Sequence, residues 1–243
     1  MKTTILSLAL AASAFGASAA DFFSTERPED TFNFGLRVGI NTSNRTVNND
    51  ALFDSDLSFG YGRQSWGTGF DLGAVVDINI RNYLSIQPGF FFESRSGDYT
   101  FFENQINYGG AGPMTTQIGH MRSYAFNIPI LASFHFNITD DIRWDVDFGP
   151  YVGFNLSSNL KDKVLQTNGI TSEVHAIFDR KAAPVDFGFK FGTAFRILRH
   201  YYVGAHYMAG ATRAWKNLEL DAITERNYGG HTKAWVFTLG YDF

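Results

Sequence analysis

The chain has 243 residues, no cysteine and a formal net charge of −4 at pH 7. The absence of cysteine excludes a disulfide-stapled scaffold, and the acidic balance gives no indication of a nucleic-acid partner. No run of about 18 apolar residues follows the N-terminal segment, which excludes membrane-spanning helices but leaves a membrane β-barrel open.

The first twenty residues, MKTTILSLALAASAFGASAA, have the layout of a secretory signal peptide. Lys2 precedes an apolar stretch, and Ala17 and Ala19 form an A-x-A cleavage pattern. The apolar stretch is too short for a transmembrane anchor. We therefore predict that the protein is exported. The predicted division of the chain is a signal peptide at 1–20, a periplasmic N-terminal lead at 21–30 and a main domain at 31–243.

Eight later segments alternate large apolar residues with small or polar ones. In FDLGAVVDINI, Phe70 and Leu72 fall on one face, whereas Asp71 and Asp77 fall on the other. A period of two predicts β-strands, and about ten residues cross a bilayer as a tilted strand. The segments are 31–40, 70–80, 83–95, 124–136, 142–156, 185–197, 201–210 and 234–243.

A soluble β-sandwich would also alternate, but here the apolar face is rich in Phe and the opposite face mixes Gly with full charges. This combination favours a membrane barrel with lipid outside and charged or small residues inside. Short links strictly alternate with links of roughly 20–27 residues, well beyond ordinary hairpin loops. The short links are 81–82, 139–141 and 199–200, and the long ones are 41–66, 97–120, 157–183 and 212–231.

The fold class predicted from these patterns is all-β. We expect an eight-stranded antiparallel transmembrane β-barrel in the outer membrane of a Gram-negative bacterium. Short periplasmic turns, long extracellular loops and two periplasmic termini are expected with it. Pro88, Pro129 and Pro150 fall inside predicted strands, where each removes a ladder donor, so we expect local distortion there.

The last predicted strand, AWVFTLGYDF, carries an unbroken row of large apolar residues. A barrel in hydrocarbon cannot leave a strand edge open, so this strand should pair with the first one. It also resembles the C-terminal signal, ending in Phe, that bacterial outer-membrane assembly machinery reads. The resemblance implies that this machinery is a partner during biogenesis and that the signal consists of Trp235, Phe237, Leu239, Tyr241 and Phe243.

Charged residues occur repeatedly on the face predicted to line the lumen. They could form an ion path, but an eight-stranded barrel is only wide enough for side chains to fill, which favours a structural charge network. Pairing of the fifth and sixth segments predicts a contact between Asp147 and Lys190. The predicted lumenal charges are Arg37, Asp71, Asp77, Glu93, Arg95, Arg143, Asp145, Asp147, Asp186, Lys190 and Arg196.

No sequence motif indicates catalysis. The chain has no H-E-x-x-H, no G-x-S-x-G and no phosphate loop, and its six histidines are scattered. We predict no catalytic, cofactor-binding or metal-binding residues, with His206 pointing inward and His135 near a periplasmic turn. A lipid A-modifying enzyme, which would use a His with Ser and an acid, remains the leading alternative, and a narrow pore is another.

The long links offer the most freedom for binding. Asn168 and Gly169 lie between β-prone runs and predict a type I′ hairpin tip, so strands five and six should continue beyond the membrane as a protruding hairpin. Segments such as LSFGYGRQSWG and FFENQINYGGAGPM mix aromatics, Gly and Asn, as contact surfaces do. A protein or surface ligand is therefore a candidate partner at the extracellular loops.

Three strand motifs resemble the small outer-membrane β-barrel family of Bacteroidota called PorT-like. They are Gln87-Pro88, the IPxL motif at 128–131 and the GPYxG motif at 149–153. The resemblance spans about 31–243, without the long loops. It implies the barrel fold and, because the founding member is needed for a dedicated protein-secretion pathway, an accessory role in secretion.

The function predicted from the sequence is non-enzymatic. We expect a membrane scaffold, interaction or adhesion protein, and an accessory role in protein secretion is a further candidate. We predict that the barrel is a monomer surrounded by outer-membrane lipid. We predict no cofactor and no nucleic-acid partner.

Overall fold

A computed structural model describes residues 22–28, 30–46, 61–64, 66–107, 110–167, 170–172, 181–216 and 231–243. Within these ranges the chain is almost entirely β-strand. The strands are β1 (Phe32–Thr46), β2 (Tyr61–Gln64), β3 (Gly67–Arg81), β4 (Leu84–Asn107), β5 (Gly110–Asn137), β6 (Ile142–Thr167), β7 (Ile170–Ser172), β8 (Lys181–Ala182), β9 (Val185–Ile197), β10 (Tyr201–Arg213), β11 (Trp215–Lys216) and β12 (His231–Asp242).

Eight long antiparallel strands close into a barrel. They are β1, β3, β4, β5, β6, β9, β10 and β12, and each pairs with its neighbours in this order. The last strand returns to the first, with Gly35 opposite Asp242 and Thr46 opposite His231. Closure leaves no open edge among these eight strands, and the predicted fold class is confirmed.

The two ends of the barrel differ in how the strands are connected. At one end, called the short-turn end, residues 82–83, 138–141 and 198–200 join consecutive strands. These turns coincide with the short links predicted from the sequence. At the opposite end, called the long-link end, part of each predicted long link is itself strand.

The alternation of side chains matches the predicted inward and outward faces. Phe189 and Phe191 are 42% and 43% exposed on the outer wall, whereas Lys190 between them is only 5% exposed. The same contrast holds on β12, where Trp235 is exposed and Val236 is buried. A wall that is apolar outside and polar inside is the pattern of a barrel in lipid.

The three prolines interrupt hydrogen-bonded pairing without changing the strand register. Around Pro88, for example, Val75 still lies opposite Gly89 and Ile78 opposite Ile86. Pro129 likewise keeps its place opposite Tyr151. The expected distortion therefore stays local, because side chains beyond each proline still fall on the correct face.

Three barrel strands extend beyond the long-link end. The β4–β5 ladder continues from Gly97 opposite Met121 to Asn107 opposite Gly110. Ten further residues at about 3.3 Å each make a protrusion of roughly 30 Å. The predicted link 97–120 is therefore mostly paired strand. We call the part of β4, β5 and β6 beyond the barrel rim the outer sheet.

The hairpin predicted after the fifth barrel strand differs from the structure in the strand that pairs with the extension of β6. β6 extends as expected, but it pairs at its tip with the short β7, where Thr167 lies opposite Ile170. The sixth barrel strand, β9, begins only at Val185, opposite Phe154. Asn168 and Gly169, the predicted tip, lie outside the described residues, as do the predicted signal peptide at 1–20 and residue 21.

The N-terminal lead packs against the short-turn end. The Phe22 ring stacks on Phe136 with centroids 5.3 Å apart, and Phe23 lies 4.6 Å from Tyr83. The backbone N–H of Asn82 donates to the carbonyl of Glu26 at 3.2 Å. The sequence does not indicate a role for this lead, whereas in the structure the lead packs against the turn at 82–83 and against Phe136 near the end of β5.

Candidate functional site: the lumenal charge network

The interior of the barrel contains all eleven residues of the predicted charge network. Ten of them are at most 5% exposed, and the eleventh, Arg143, has a side chain that is 24% exposed near the short-turn end. Period-two alternation brings these charges inward, because every second residue of a barrel strand must face the lumen. The structure then separates them into two groups at different depths.

The first group, called the short-turn cluster, joins three arginines to three aspartates. Arg196 pairs with Asp77, with Asp145 at 3.0 Å and with Asp242 at 3.4 Å. The remaining pairs are Arg37–Asp242 at 2.6 Å and Arg143–Asp145 at 2.9 Å. Because Arg196 lies on β9 and Asp77 on β3, this cluster crosses the lumen.

Two glycines and one aromatic ring make room for the cluster. A Cβ at Gly35 would overlap the Asp242 carboxylate and the Arg37 guanidinium, and one at Gly240 would lie 2.5 Å from Arg37 Cδ. The Arg37 guanidinium lies over the ring of Tyr202, 3.9 Å from its centroid. Side chains from β1, β10 and β12 therefore fill the lumen together at this depth.

A Ser–His–Asp chain adjoins the short-turn cluster. The Nδ1–H of His135 donates to Asp145 Oδ1 at 2.7 Å, and the hydroxyl of Ser85 lies 2.9 Å from Nε2 of the same ring. This is the order of contacts found in serine hydrolases, where the carboxylate orients the histidine and the histidine accepts the serine proton. Sequence reasoning placed His135 near a turn but missed this arrangement.

The surroundings of this chain favour a structural role over nucleophilic catalysis. Ser85 is 0% exposed, so no substrate carbonyl can approach its hydroxyl in this conformation. Asp145 is already shared with Arg143 and Arg196. Accepting the serine proton would therefore create an imidazolium beside two guanidinium groups, which is electrostatically unfavourable.

The second group, called the mid-lumen cluster, lies further from the short-turn end. Arg95 binds Glu93 at 2.6 Å and Asp186 at 3.4 Å. Asn127 donates to Glu93 at 3.0 Å, and Tyr151 donates its hydroxyl to Asp186 at 3.2 Å. The charged members of the cluster are Asp71, Glu93, Arg95, Asp147, Asp186 and Lys190.

The predicted contact between Asp147 and Lys190 takes a different form from an ion pair. Lys190 lies opposite Gly149, two residues along β6 from Asp147, and the two groups interact electrostatically. No hydrogen bond or ion pair to Lys190 occurs among the described residues, and its ammonium lies 4.9 Å from the centroid of the Phe91 ring. Asp147 instead accepts from Ser133 at 2.5 Å and His206 at 2.8 Å.

Several members of the network were not on the predicted charge list. Asp242, which alternates with the apolar residues of the last strand, pairs with two arginines. Tyr151, Tyr202 and Asn127 are also buried in the lumen. Their inward parity could have identified all of them, because polar residues on that face must find partners in the lumen.

The predicted assembly signal lies on the outside of the closing strand. All five residues are exposed on the lipid-facing wall, and the backbone N–H of Phe243 donates to the carbonyl of Phe34 at 2.8 Å. Their role as a signal stays a prediction. Across the described ranges, no three His, Asp or Glu residues are grouped so that they could hold a metal ion. No helix of the described chain is long and apolar enough to cross a bilayer.

A closed barrel with an apolar outer wall and a charged lumen defines a class, the small outer-membrane β-barrels. Residues 20–212 match the family described as outer membrane protein beta-barrel domain. The chain therefore belongs to this family. A search of curated proteins gave no match.

Solved structures with a similar fold include two bacterial outer-membrane proteins. Ail, the attachment invasion locus protein of Yersinia pestis, is 13% identical, with 88% of this chain and 100% of that chain covered and a TM-score of 0.39. OprG of Pseudomonas aeruginosa is 9% identical, with 90% and 98% covered and a TM-score of 0.41.

Proposed function

We propose that this protein is a non-enzymatic, non-conducting barrel that presents its outer sheet to a partner outside the cell. The observation that carries the proposal is the outer sheet itself, in which β4 and β5 remain paired far beyond the barrel rim. β2 adds to one side of this sheet, and β7 pairs with β6. Backbone pairing of this extent gives a broad surface on a rigid base.

The lumen supports a non-conducting role. Buried ion pairs in the short-turn cluster connect strands on opposite sides of the barrel, such as β3 and β9. Moving an ion through this layer would require breaking contacts that compensate several buried charges at once. We therefore expect no steady current when the purified protein is added to a planar bilayer, and stepwise conductance at moderate voltage would contradict this part of the proposal.

The proposed orientation places the short-turn end and both termini in the periplasm. Short turns on the periplasmic side are typical of outer-membrane barrels. The chain has no cysteine, so a single cysteine can report its own location. We expect a membrane-impermeant maleimide to label Asn107→Cys at the end of β4 in intact cells. Thr25→Cys in the lead should be labelled only after the outer membrane is permeabilised, and the reverse pattern would overturn this orientation.

The partner of the outer sheet can be tested by removing the sheet while keeping the barrel. Asp98 lies opposite His120, so a short turn in place of residues 99–119 would close the β4–β5 hairpin near the rim. Cross-linking in intact cells should capture at least one surface partner with the full chain and lose it with the shortened one. A partner that is retained equally by both chains would contradict the proposal.

An accessory role in protein secretion and membership of the PorT-like group of Bacteroidota remain parts of this proposal. Their support is the sequence resemblance in the QP, IPxL and GPYxG strands. We also propose outer-membrane lipid as the surroundings of the barrel, the barrel-assembly machinery as a partner during biogenesis, on the resemblance of the last strand to an assembly signal, and a monomeric state. Deletion of the gene followed by analysis of secreted proteins would test the secretory role directly.

A lipid A-modifying enzyme is the second candidate, and one observation favours it. The Ser85, His135 and Asp145 side chains have the contacts of a hydrolase triad. A Ser85→Ala variant should leave the mass spectrum of cellular lipid A unchanged if the chain of contacts is structural. Loss of a modified lipid A species in this variant, with the barrel intact, would make the enzyme the better assignment.

A further inference from the structure

One carboxylate of the mid-lumen cluster has fewer hydrogen-bond donors than the other three. Oδ1 of Asp71 accepts from the side-chain amide of Asn41 at 3.0 Å, whereas Oδ2 has no hydrogen-bond partner in the described chain. Asp71 is only 2% exposed, so bulk water does not supply the missing donor. An ionised carboxylate in this position is costly, because charge that is taken out of water must be compensated by a counter-charge or by donors.

The other three carboxylates of the cluster have a partner at each oxygen. Glu93 accepts from Arg95 through Oε2 at 2.6 Å and from Asn127 through Oε1 at 3.0 Å. Asp147 and Asp186 are also hydrogen-bonded at both of their oxygens. Donors of this kind stabilise the ionised form of an acid. We therefore expect these three residues to stay ionised, and Asp71 is the acid of the cluster with the weakest support for a negative charge.

The balance of charge in the cluster adds to this difference. With all four acids ionised, two cations would face four carboxylates, and a protonated His206 beside Asp147 would still leave one negative charge uncompensated. Asp71 and Glu93 lie directly opposite each other on β3 and β4, so two of the carboxylates meet at one depth. When two buried acids share a site in this way, ionisation of both is strongly disfavoured.

The groups that face Asp71 do not supply a dedicated counter-charge. Lys190 on β9 interacts electrostatically with Asp71 and with two further carboxylates, but it forms no ion pair within the described residues. Arg95 on β4 is bound to Glu93 and Asp186. The other inward groups of the cluster and of the neighbouring strands are Asp147 on β6, His206 on β10, and the uncharged Gly39, Asn41, Asn127 and Thr238 on β1, β5 and β12.

We propose that Asp71 binds one proton in the folded barrel at neutral pH, and that this site makes the lumen sensitive to pH. The proton removes the repulsion between Asp71 and Glu93 and allows Oδ2 to act as a donor. Glycine at position 39 leaves space beside Oδ2, because Asp71 Oδ2 and Thr238 Oγ1 each lie 3.3 Å from the point that a Cβ of Gly39 would occupy. Calcium takes roughly six to eight oxygen ligands, and these two side-chain oxygens alone do not provide them.

Release of the proton would act on a contact that crosses the lumen. Glu93 holds one side of the Arg95 guanidinium, and Asp186 on β9 holds the other. An ionised Asp71 beside Glu93 competes for the same cation and weakens the link between β4 and β9. Because β4 continues into the outer sheet, this contact lies at the base of the surface that is proposed to meet a partner. That consequence rests on the proposed function, whereas the proton site itself does not.

The test compares the unmodified protein with Asp71→Asn, which keeps the shape of a protonated carboxyl group at every pH. Each barrel is folded in phospholipid vesicles and examined at neutral pH by infrared spectroscopy. The stretching band of a protonated carboxyl group is identified by its shift in D₂O. Urea unfolding is then measured from about pH 5 to about pH 8. Asp140→Asn is the control, because it replaces an exposed aspartate in a short turn.

We expect the band in the unmodified protein and in Asp140→Asn but not in Asp71→Asn. The unfolded chain releases the proton at about pH 4, as an ordinary aspartate does, so the folded barrel binds one proton more and loses stability as the pH rises. Relative to Asp71→Asn, the folding equilibrium constant of the unmodified protein should fall about tenfold per pH unit while the proton is bound. Asp140→Asn should keep the slope of the unmodified protein.

The proposal is wrong if the unmodified folded barrel lacks the band, a result that needs no variant. It is also wrong if the band persists unchanged in Asp71→Asn, or if the ratio of the two folding constants does not depend on pH. Stabilisation at neutral pH by added Na⁺ or Ca²⁺, without the band, would assign the missing charge to a metal ion and contradict the proton.

Discussion

The short-turn cluster and the mid-lumen cluster differ in how their buried charges are compensated. In the short-turn cluster, three arginines meet three aspartates through direct ion pairs. In the mid-lumen cluster, two cations stand among four carboxylates, and Lys190 makes no direct ion pair within the described residues. The difference shows that facing the lumen does not by itself give a charge a partner.

Partner geometry explains why the two depths should differ in energy. Removing one member of a buried ion pair leaves an uncompensated charge, whereas a charge without a close partner has less pairing to lose. The planar guanidinium of Arg196 contacts three carboxylates, which a single lysine ammonium does not achieve in this barrel. We therefore expect substitutions at the two depths to have unequal effects.

The largest effect should come from Arg196→Ala. This change leaves Asp77, Asp145 and Asp242 without their shared cation, and breaking buried pairs of this kind costs about 3–5 kcal/mol. Urea unfolding in phospholipid vesicles, followed by tryptophan fluorescence, measures the loss. Arg81→Ala, at an exposed position, serves as the control. A loss below about 1 kcal/mol for Arg196→Ala would show that the short-turn cluster does not stabilise the barrel.

Gly35→Ala should have the next largest effect. The added methyl group would overlap the Asp242 and Arg37 side chains, which cannot move apart without lengthening their ion pair. Overpacking of this kind costs about 1–3 kcal/mol. Gly153→Ala is the matched control, because its Cβ would meet its nearest neighbour at an ordinary 3.5 Å. Equal unfolding midpoints for the two variants would remove the claim that the cluster is tightly packed.

Lys190→Met tests the mid-lumen cluster directly. The methionine side chain is one atom shorter than that of lysine and stays apolar, but it removes the charge that faces Asp71, Glu93 and Asp147 and the contact of the ammonium with the Phe91 ring. We expect a loss of about 1–2 kcal/mol in the same urea experiment, less than for Arg196→Ala because no direct ion pair is broken. A loss equal to or greater than that of Arg196→Ala would reverse the comparison between the two depths.

The smallest effect should come from the N-terminal lead. Phe22→Ala removes the stacked contact with Phe136. Aromatic pairs of this kind contribute about 0.5–1.5 kcal/mol to the free energy of unfolding. Thr25→Ala, at an exposed position in the same lead, is the control. Identical unfolding curves for the two variants would show that the lead does not support this end of the barrel.

Much of the fold could be predicted because a barrel strand has an exact period of two. The positions of Phe189, Lys190 and Phe191 on opposite faces follow directly from that period. The short turns were also predicted, since two to three polar or basic residues separate strongly alternating runs. The paired strands at 97–120 were not, because their Gly, Asn and aromatic residues occur in contact loops as often as in strands.

The candidate site was predictable only in part. Parity identified which charges face inward, but it could not indicate that Arg196 would meet Asp77, 119 positions away along the chain and on a non-adjacent strand. Parity also did not predict the contacts among Ser85, His135 and Asp145. These residues lie on three different strands, and the stagger between strands cannot be predicted from any one strand.

The sequence by itself determined which side of each strand is apolar and which is charged, since this depends only on neighbouring residues. Tertiary structure decided which charges pair and how far the outer sheet extends. These features depend on the stagger between strands and on closure of the barrel. Both arise only when all eight strands are hydrogen-bonded in one register.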